Sequence, residues 1–260
     1  MSIWDRFRLD GKRAFLTGGS RGLGREMALA LAEAGADVCL AGRNQESLDR
    51  TAKDIRELGR RVWTVSVDMS VPELCEAACE TILQEQGCFD ILVNNVGGRR
   101  ESIPTEQMPL ATWQRLIDFN LTSTFLCTKW FGGAMVERGH GGRIINISSI
   151  NAFVAGPGIQ GRHYETSKAA IVQFTRATAV DWAKYGITVN AICPGPFLTE
   201  PNVRWSETHP DVINRIREQV PLGDFGAPED LGPLAVYLAS DASRFMTGAA
   251  LILDGGYTLM

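Results

Sequence analysis

The most constraining stretch is a short apolar segment, Arg13–Thr17, that runs into Gly18-Gly-Ser-Arg-Gly-Leu-Gly24 and then into a helical pattern stopped by Gly35. A strand that turns through glycines directly into a helix leaves unpaired N–H groups and the positive end of the helix dipole at the turn. Such a turn suits a phosphate or pyrophosphate. The glycines let the backbone approach that ligand. The spacing is Gly18-x-x-x-Gly22-x-Gly24, unlike the commoner G-x-G-x-x-G dinucleotide fingerprint. Gly18, Ser20, Arg21, Gly22, Leu23 and Gly24 are the candidate cofactor-binding residues of this loop.

The same alternation continues to the end of the chain. Apolar runs at 36–41, 62–67, 90–93, 143–147, 187–192 and 249–253 read as strands. Helical patterns separate them at 45–58, Pro72–Gln86, 110–138, 164–184 and 228–239, with a short one at 212–219. Strands alternating with helices define an α/β fold with a parallel sheet. With 260 residues and no linker, repeat or low-complexity tract, residues 1–260 are expected to form a single domain. The irregular segment at 194–227 is expected to act as a substrate lid.

Strand ends carry the next candidates. After the second strand an acidic residue would bind a ribose 2′-hydroxyl, whereas arginine suits a 2′-phosphate. Here the acidic position is Gly42 and Arg43 follows it, with Arg21 available from the glycine loop. Two guanidinium groups beside one pocket favour NADP(H) over NAD(H). Asp68, followed by Met69, stands at the third strand end. Asp68 could accept from an adenine amino group or form a cap or Asx turn. The fourth strand runs into Asn94-Asn-Val-Gly97, where the amides can tie loops together and Gly97 leaves room for a ligand. Asn120 lies within an apolar stretch of the long helix, so its amide needs partners.

The chemistry centres on residues 148–168. Tyr164 and Lys168 are four apart and share one helix face. An ammonium beside a phenol favours the phenolate and lowers the tyrosine pKa from about 10. Tyr164 is thereby a candidate proton donor and acceptor near neutral pH. The strand before it ends in Ser148 and Ser149, and strand parity lets only one of them face Tyr164.

Composition excludes several classes. A net charge of −4 and a pI near 5.5, with no basic stripe interleaved with aromatics, argue against nucleic acid and acidic membranes. No run is long enough to span a bilayer and the N-terminus has no signal core, so a cytoplasmic protein is expected. The six cysteines form no C-x-x-C pair. Cys75 and Cys79 are one helical turn apart, but no histidine or further cysteine nearby in sequence completes a site, and no metal is expected.

Taken together, Thr17-Gly-x-x-x-Gly-x-Gly24, Asn94-Asn-Val-Gly97, Asn120, Ser149 with Tyr164-x-x-x-Lys168, Pro194-Gly195 with Thr199, and the terminal Asp254-Gly-Gly resemble the short-chain dehydrogenase/reductases. The matches follow the family order over about residues 9–256. That resemblance implies a single Rossmann-type, doubly wound and mainly parallel seven-stranded sheet with helices on both faces. It implies that Tyr164 exchanges a proton with the substrate oxygen while hydride passes to or from the nicotinamide. Lys168 would lower the Tyr164 pKa and hold the nicotinamide ribose. Ser149, which aligns with the family serine, would bind the substrate oxygen, and Asn120 would hold a water linking Lys168 to solvent. Asn95, Gly97, Tyr164, Lys168, Pro194, Gly195 and Thr199 would complete the cofactor site with Arg43, Asp68 and Met69. Two features depart from the usual pattern: Val96 replaces an alanine, and Ser149 stands 15 positions before Tyr164, which enlarges the loop between them. Family members are commonly tetramers, so a homotetramer, or a dimer, is expected.

The expected substrate is a small ketone or the corresponding secondary alcohol. Arg99, Asn151 and His163 are candidate substrate residues, with Arg100, Gln160, Arg162, Glu200, Asn202 and Arg204 in the same three loops. A cationic, hydrogen-bonding mouth suits a keto-sugar acid. The Arg99-Arg100 pair also resembles that of gluconate 5-dehydrogenase-type members. A 3-oxoacyl thioester is the alternative substrate. A catalytically silent dinucleotide sensor is the alternative of another class, and it should have lost Ser149, Tyr164 or Lys168.

Overall fold

Strands buried on both faces need almost unbroken apolar runs, and every residue of β2 (Asp37–Gly42) and β6 (Ile187–Pro194) is buried. The computed structural model describes residues 2–98, 101–156, 162–200, 202–203, 207 and 210–259. Its sheet has seven strands in the order β3-β2-β1-β4-β5-β6-β7, with all neighbours parallel. The other strands are β1 (Arg13–Thr17), β3 (Val62–Ser66), β4 (Ile91–Asn94), β5 (Gly142–Ile147) and β7 (Ala250–Leu253). The strand order reverses between β1 and β4, and open α/β sheets bind ligands at such a point, beyond the strand C-termini.

The pleat sorts side chains into two cores. Ala14 and Leu16 of β1 and Ile91 and Val93 of β4 pack with α1 (Gly22–Glu33), α2 (Gln45–Glu57) and α7 (Leu231–Ala239). Phe15 and Leu92 point the other way, toward α3 (Pro72–Gln86) and the long helix α4 (residues 110–138). There Phe15 stacks on Phe131 with ring centres 4.1 Å apart. Helix α5 (His163–Trp182) covers the same face through Ala179 and Trp182. A short helix α6 (Pro210–Glu218) lies in the segment between β6 and α7.

Two findings refine the sequence reading. Helix α4 is continuous in direction but is built of α segments Leu110–Ile117, Ser123–Cys127 and Gly133–Arg138, joined by π turns at Asp118–Thr122 and Thr128–Gly132. Nothing in the apolar periodicity distinguishes a π turn from an α turn, whereas π turns often mark functional positions. The second finding is a correction. Cys75 and Cys79 do meet a further cysteine, because packing of α3 on α4 brings Cys127 Sγ to 3.8 Å from Cys75 Sγ and 3.9 Å from Cys79 Sγ. The three are 52 and 48 positions apart in sequence, so local spacing could not reveal the cluster.

Candidate active site

The glycine loop closes on itself. Gly18, with φ of +72°, makes the turn, and a Cβ on Gly24 would stand 2.2 Å from the Gly18 carbonyl oxygen. Any side chain at position 24 would force the first turn of α1 away from β1. The loop is fixed from the neighbouring strand as well. Asn95 Nδ2 donates to the carbonyls of Thr17 and Gly18 at 3.0 and 3.2 Å. In return Thr17 Oγ1 accepts the backbone N–H groups of Asn95 and Val96 at 3.0 and 3.1 Å. Asn95 thus ties two strand-end loops together, as its position suggests, and Thr17, which heads the glycine motif, is its hydroxyl partner.

Between these loops and the ends of β2 and β3 lies a cleft of about 700 Å³. Gly18, Ser20, Arg21, Gly22, Leu23, Gly24, Arg43, Asp68, Met69, Asn95, Gly97 and Thr199 all line it. Asn44, Ser47 and Phe119 line it too; they follow Arg43 or precede Asn120 in the chain and carry no motif of their own. Arg21 and Arg43 are both about half exposed, 3.9 Å from Glu200 and 3.7 Å from Asp68 respectively. Both alternatives for Asp68 are compatible with its position: Oδ1 accepts from Ser70 N and Oγ in an Asx turn, and the residue faces the cleft. The elongated cleft, the backbone-lined loop and the two guanidinium groups fit a dinucleotide phosphate. Pro194, the last residue of β6, pairs with Leu253 of β7. Gly195 packs against Asp254, where a Cβ would stand 2.4 Å from the Asp254 Cβ, and Asp254 in turn holds Gly256 and Thr258 by their N–H groups.

At the inner end, three predicted residues converge. A Cβ on Gly97 would lie 2.7 Å from Asn120 Oδ1 and 3.0 Å from Lys168 Nζ, and its φ is +154°. Asn120 is fully buried in the first π turn of α4. Its Oδ1 accepts Gly98 N–H at 2.8 Å, and its Nδ2 donates to Leu116 O at 2.9 Å. Lys168 is 3% exposed, donates to the Ile147 carbonyl at 2.8 Å, and sits 5.7 Å from the centre of the Tyr164 ring. Burial lowers its pKa from 10.5 to about 8. Ser148 and Ser149 diverge as strand parity requires. Ser148 Oγ donates to Lys168 O at 2.8 Å, while Ser149 Oγ accepts Asn151 N–H at 3.1 Å at the start of a single 3-10 turn, Ile150–Ala152.

A polar relay underpins this end of the site. Asn94 Nδ2 donates to Thr128 Oγ1 and Asn146 Oδ1 at 3.0 and 2.8 Å, and Asn146 Nδ2 donates to Thr175 Oγ1 at 2.9 Å. It links α4, β4, β5 and α5, and Asn146 was legible as an amide inside an otherwise apolar strand. The substrate candidates behave differently. His163 is completely buried at the start of α5, which corrects the expectation that it stands at an open mouth. Arg162, beside it, bonds Glu165 and the Gly156 carbonyl. Asn202 donates to Phe197 O at 2.7 Å. Arg99, Arg100, Gln160 and Arg204 lie outside the described residues.

The seven-stranded parallel sheet, the phosphate-type loop at its switch point and the buried Lys168 beside Tyr164 define a nicotinamide-dinucleotide oxidoreductase acting on CH–OH or C=O groups. Residues 18–258 match the family described as enoyl-(acyl carrier protein) reductase, and the chain belongs to the short-chain dehydrogenase/reductase family. It is 37% identical to 2-dehydro-3-deoxy-D-gluconate 5-dehydrogenase of Dickeya dadantii, over 98% of each chain. It is 35% identical to gluconate 5-dehydrogenase of Gluconobacter oxydans, over 100% of this chain and 99% of the relative. A crystal structure of a gluconate 5-dehydrogenase from Burkholderia cenocepacia J2315 in complex with NADP and tartrate superposes with a TM-score of 0.91, at 36% identity and full coverage of both chains.

Proposed function

We propose that this protein interconverts a keto-sugar acid and its secondary alcohol, with NADP(H) preferred over NAD(H). The observation that carries the reading is the convergence of Gly97, Asn120 and Lys168 beside Tyr164, in a chain aligned end to end with two sugar-acid 5-dehydrogenases. Bound NADP(H) supplies or accepts the hydride. The protein does the rest. Tyr164 gives its proton to the carbonyl oxygen in reduction, or takes one from the hydroxyl in oxidation. Lys168, held by the Ile147 carbonyl, favours the phenolate electrostatically. Ser149 Oγ hydrogen-bonds the reacting oxygen, and Asn120 positions the loop at Gly98 and a water for proton exchange with Lys168. Arg21 and Arg43 hold the 2′-phosphate by charge-assisted bonds.

Arg99 supplies charge for the substrate carboxylate, and the segment 194–227 acts as the lid over a single-domain fold, pinned at its base where Leu198 N–H donates to the Gly226 carbonyl. Within the described residues no helix is long and apolar enough to cross a membrane and the cysteines are free, which supports a cytoplasmic protein. Half-exposed Phe125 of α4 and exposed Val180 of α5 support assembly into a homotetramer. The second reading is a 3-oxoacyl thioester substrate; the family description, enoyl-(acyl carrier protein) reductase, shares with it the acyl thioester and not the reacting group. Initial rates of NADPH oxidation separate the two. Turnover of 5-ketogluconate well above that of acetoacetyl thioesters is expected, weakened in an Arg99→Ala/Arg100→Ala variant. Efficient thioester reduction without turnover of hydroxylated ketones would replace the sugar-acid reading. No turnover of either class with cofactor still bound would favour the silent sensor.

A further inference from the structure

Away from the cleft, the face of the sheet covered by α3 and α4 holds a cluster that the dehydrogenase chemistry does not use. Cys75 and Cys79 lie one helical turn apart on α3, and Cys127 reaches them from α4. All three are 0–1% exposed, and their sulfurs lie within 4.8 Å of one another. The two measured separations, 3.8 and 3.9 Å, are the informative ones. Sulfurs about 2.3 Å from a common ion stand about 3.8 Å apart on a tetrahedral face and about 4.0 Å apart in a trigonal plane. Two of the three edges therefore have the spacing of a three-thiolate coordination shell, and the third lies within 4.8 Å.

We propose that Cys75, Cys79 and Cys127 form a buried site for one soft, thiophilic cation, with copper(I) the occupant. The donor set selects the metal class, since three sulfurs and no oxygen or nitrogen suit a soft ion. Among the described residues no histidine, carboxylate or fourth cysteine joins the group. Structural zinc takes four ligands, and the surrounding packing of Phe15, Met69, Phe131 and Leu126 is apolar. Copper(I) is satisfied by three sulfurs. Loading replaces thiol protons, which pass to the buffer, and copper enters and remains as copper(I), so no electron is exchanged. The ion would bridge α3 to the same α4 that carries Asn120, beside the existing tie of Lys129 and Trp130 to Glu76.

The test is an anaerobic titration of the reduced, full-length enzyme with copper(I) against a chromophoric copper(I) chelator, with thiolate-to-copper absorption as a second readout. One equivalent held in competition with the chelator is expected, together with a higher melting temperature. Cys127→Ala and, separately, Cys75→Ala should lose both the tight equivalent and the absorption band while still binding NADPH, which certifies their fold. Cys88→Ala, outside the cluster, should keep them. Retention of the tight equivalent in both cluster variants, or no tight equivalent in the wild type, would overturn the site. One equivalent of zinc(II) with none of copper(I) would overturn the assignment of the metal.

Discussion

The cofactor half and the substrate half of this molecule are built on different principles. Around the glycine loop the important groups are backbone atoms and short side chains, held by Thr17, Asn95 and the close approach of Gly24 to Gly18. On the proposed substrate side, among the described residues of 149–162 and 195–227, Ser149 bonds Asn151 and Asn202 bonds Phe197, each within its own segment. Where the first half approaches the pyrophosphate, its requirements are steric. On the proposed function the second half would recognise one substrate among many, through a few side chains on loops. On the proposed function the chemistry lies at the boundary, where Tyr164 and Lys168 stand on the 20-residue helix α5.

The sharpest way to break this comparison is to remove the boundary residue. Tyr164→Phe should lower kcat by roughly 10²- to 10⁴-fold and leave the NADPH dissociation constant within about twofold, since the ring is kept and only the proton-transferring hydroxyl is removed. A matching loss of cofactor affinity in an equilibrium titration would show that the two halves are not separable. Next in size is the serine pair. Ser149→Ala should reduce kcat about 10²- to 10³-fold, as loss of one donor to a reacting oxygen does. Ser148→Ala removes a bond to the Lys168 carbonyl and should cost only about 1 kcal/mol of stability in chemical denaturation. A dead Ser148 variant beside an active Ser149 variant would reverse the assignment.

Within the cofactor half, Arg43→Ala should weaken NADPH about 10- to 100-fold and leave NADH nearly unchanged, because charge-assisted bonds contribute roughly 1.5–3 kcal/mol. Wild-type enzyme that binds NADH more tightly than NADPH would contradict the arginine reading. The smallest effect is on stability. The folded-state pKa of Lys168, about 8, lies below its ordinary 10.5, so the folded protein carries an unfavourable buried charge below about pH 8. Between about pH 8 and 10.5 the unfolded chain binds more protons than the folded one, and stability rises with pH. Lys168→Met should therefore be more stable than wild type at pH 7, by up to about 3 kcal/mol less the lost Ile147 bond. That advantage should close across the same pH window. Melting temperatures recorded from pH 6 to 10.5 check it, and an advantage that grows with pH would refute the burial account.

What could be read from the chain follows the same division. The strand–glycine–helix unit, the buried strands and the Tyr164–Lys168 spacing were legible because each is a local pattern with a steric or periodic cause. The cleft contribution of Ser47 and Phe119, the π turns of α4 and the meeting of Cys127 with α3 were not, because each is fixed by packing between distant segments. His163 illustrates the limit most plainly: loop position suggested a mouth, and the helix start turned the ring into the interior. Pro194 and Gly195 were found by pattern; their packing on Leu253 and Asp254 was not, since it joins the chain's end to β6.

The central claim is that the cleft beside the glycine loop and Tyr164 serve one hydride transfer between a nicotinamide and a keto-sugar acid. It is tested most directly by supplying 5-ketogluconate with NADPH carrying deuterium at one or the other face of C4 and analysing the product by mass spectrometry and NMR. Deuterium from one of the two labelled cofactors, found at the new carbinol carbon in the wild type and absent from the product pool of Tyr164→Phe, is the predicted result. Unlabelled product from both cofactors, or NADPH left unoxidised beside unchanged 5-ketogluconate, would contradict it.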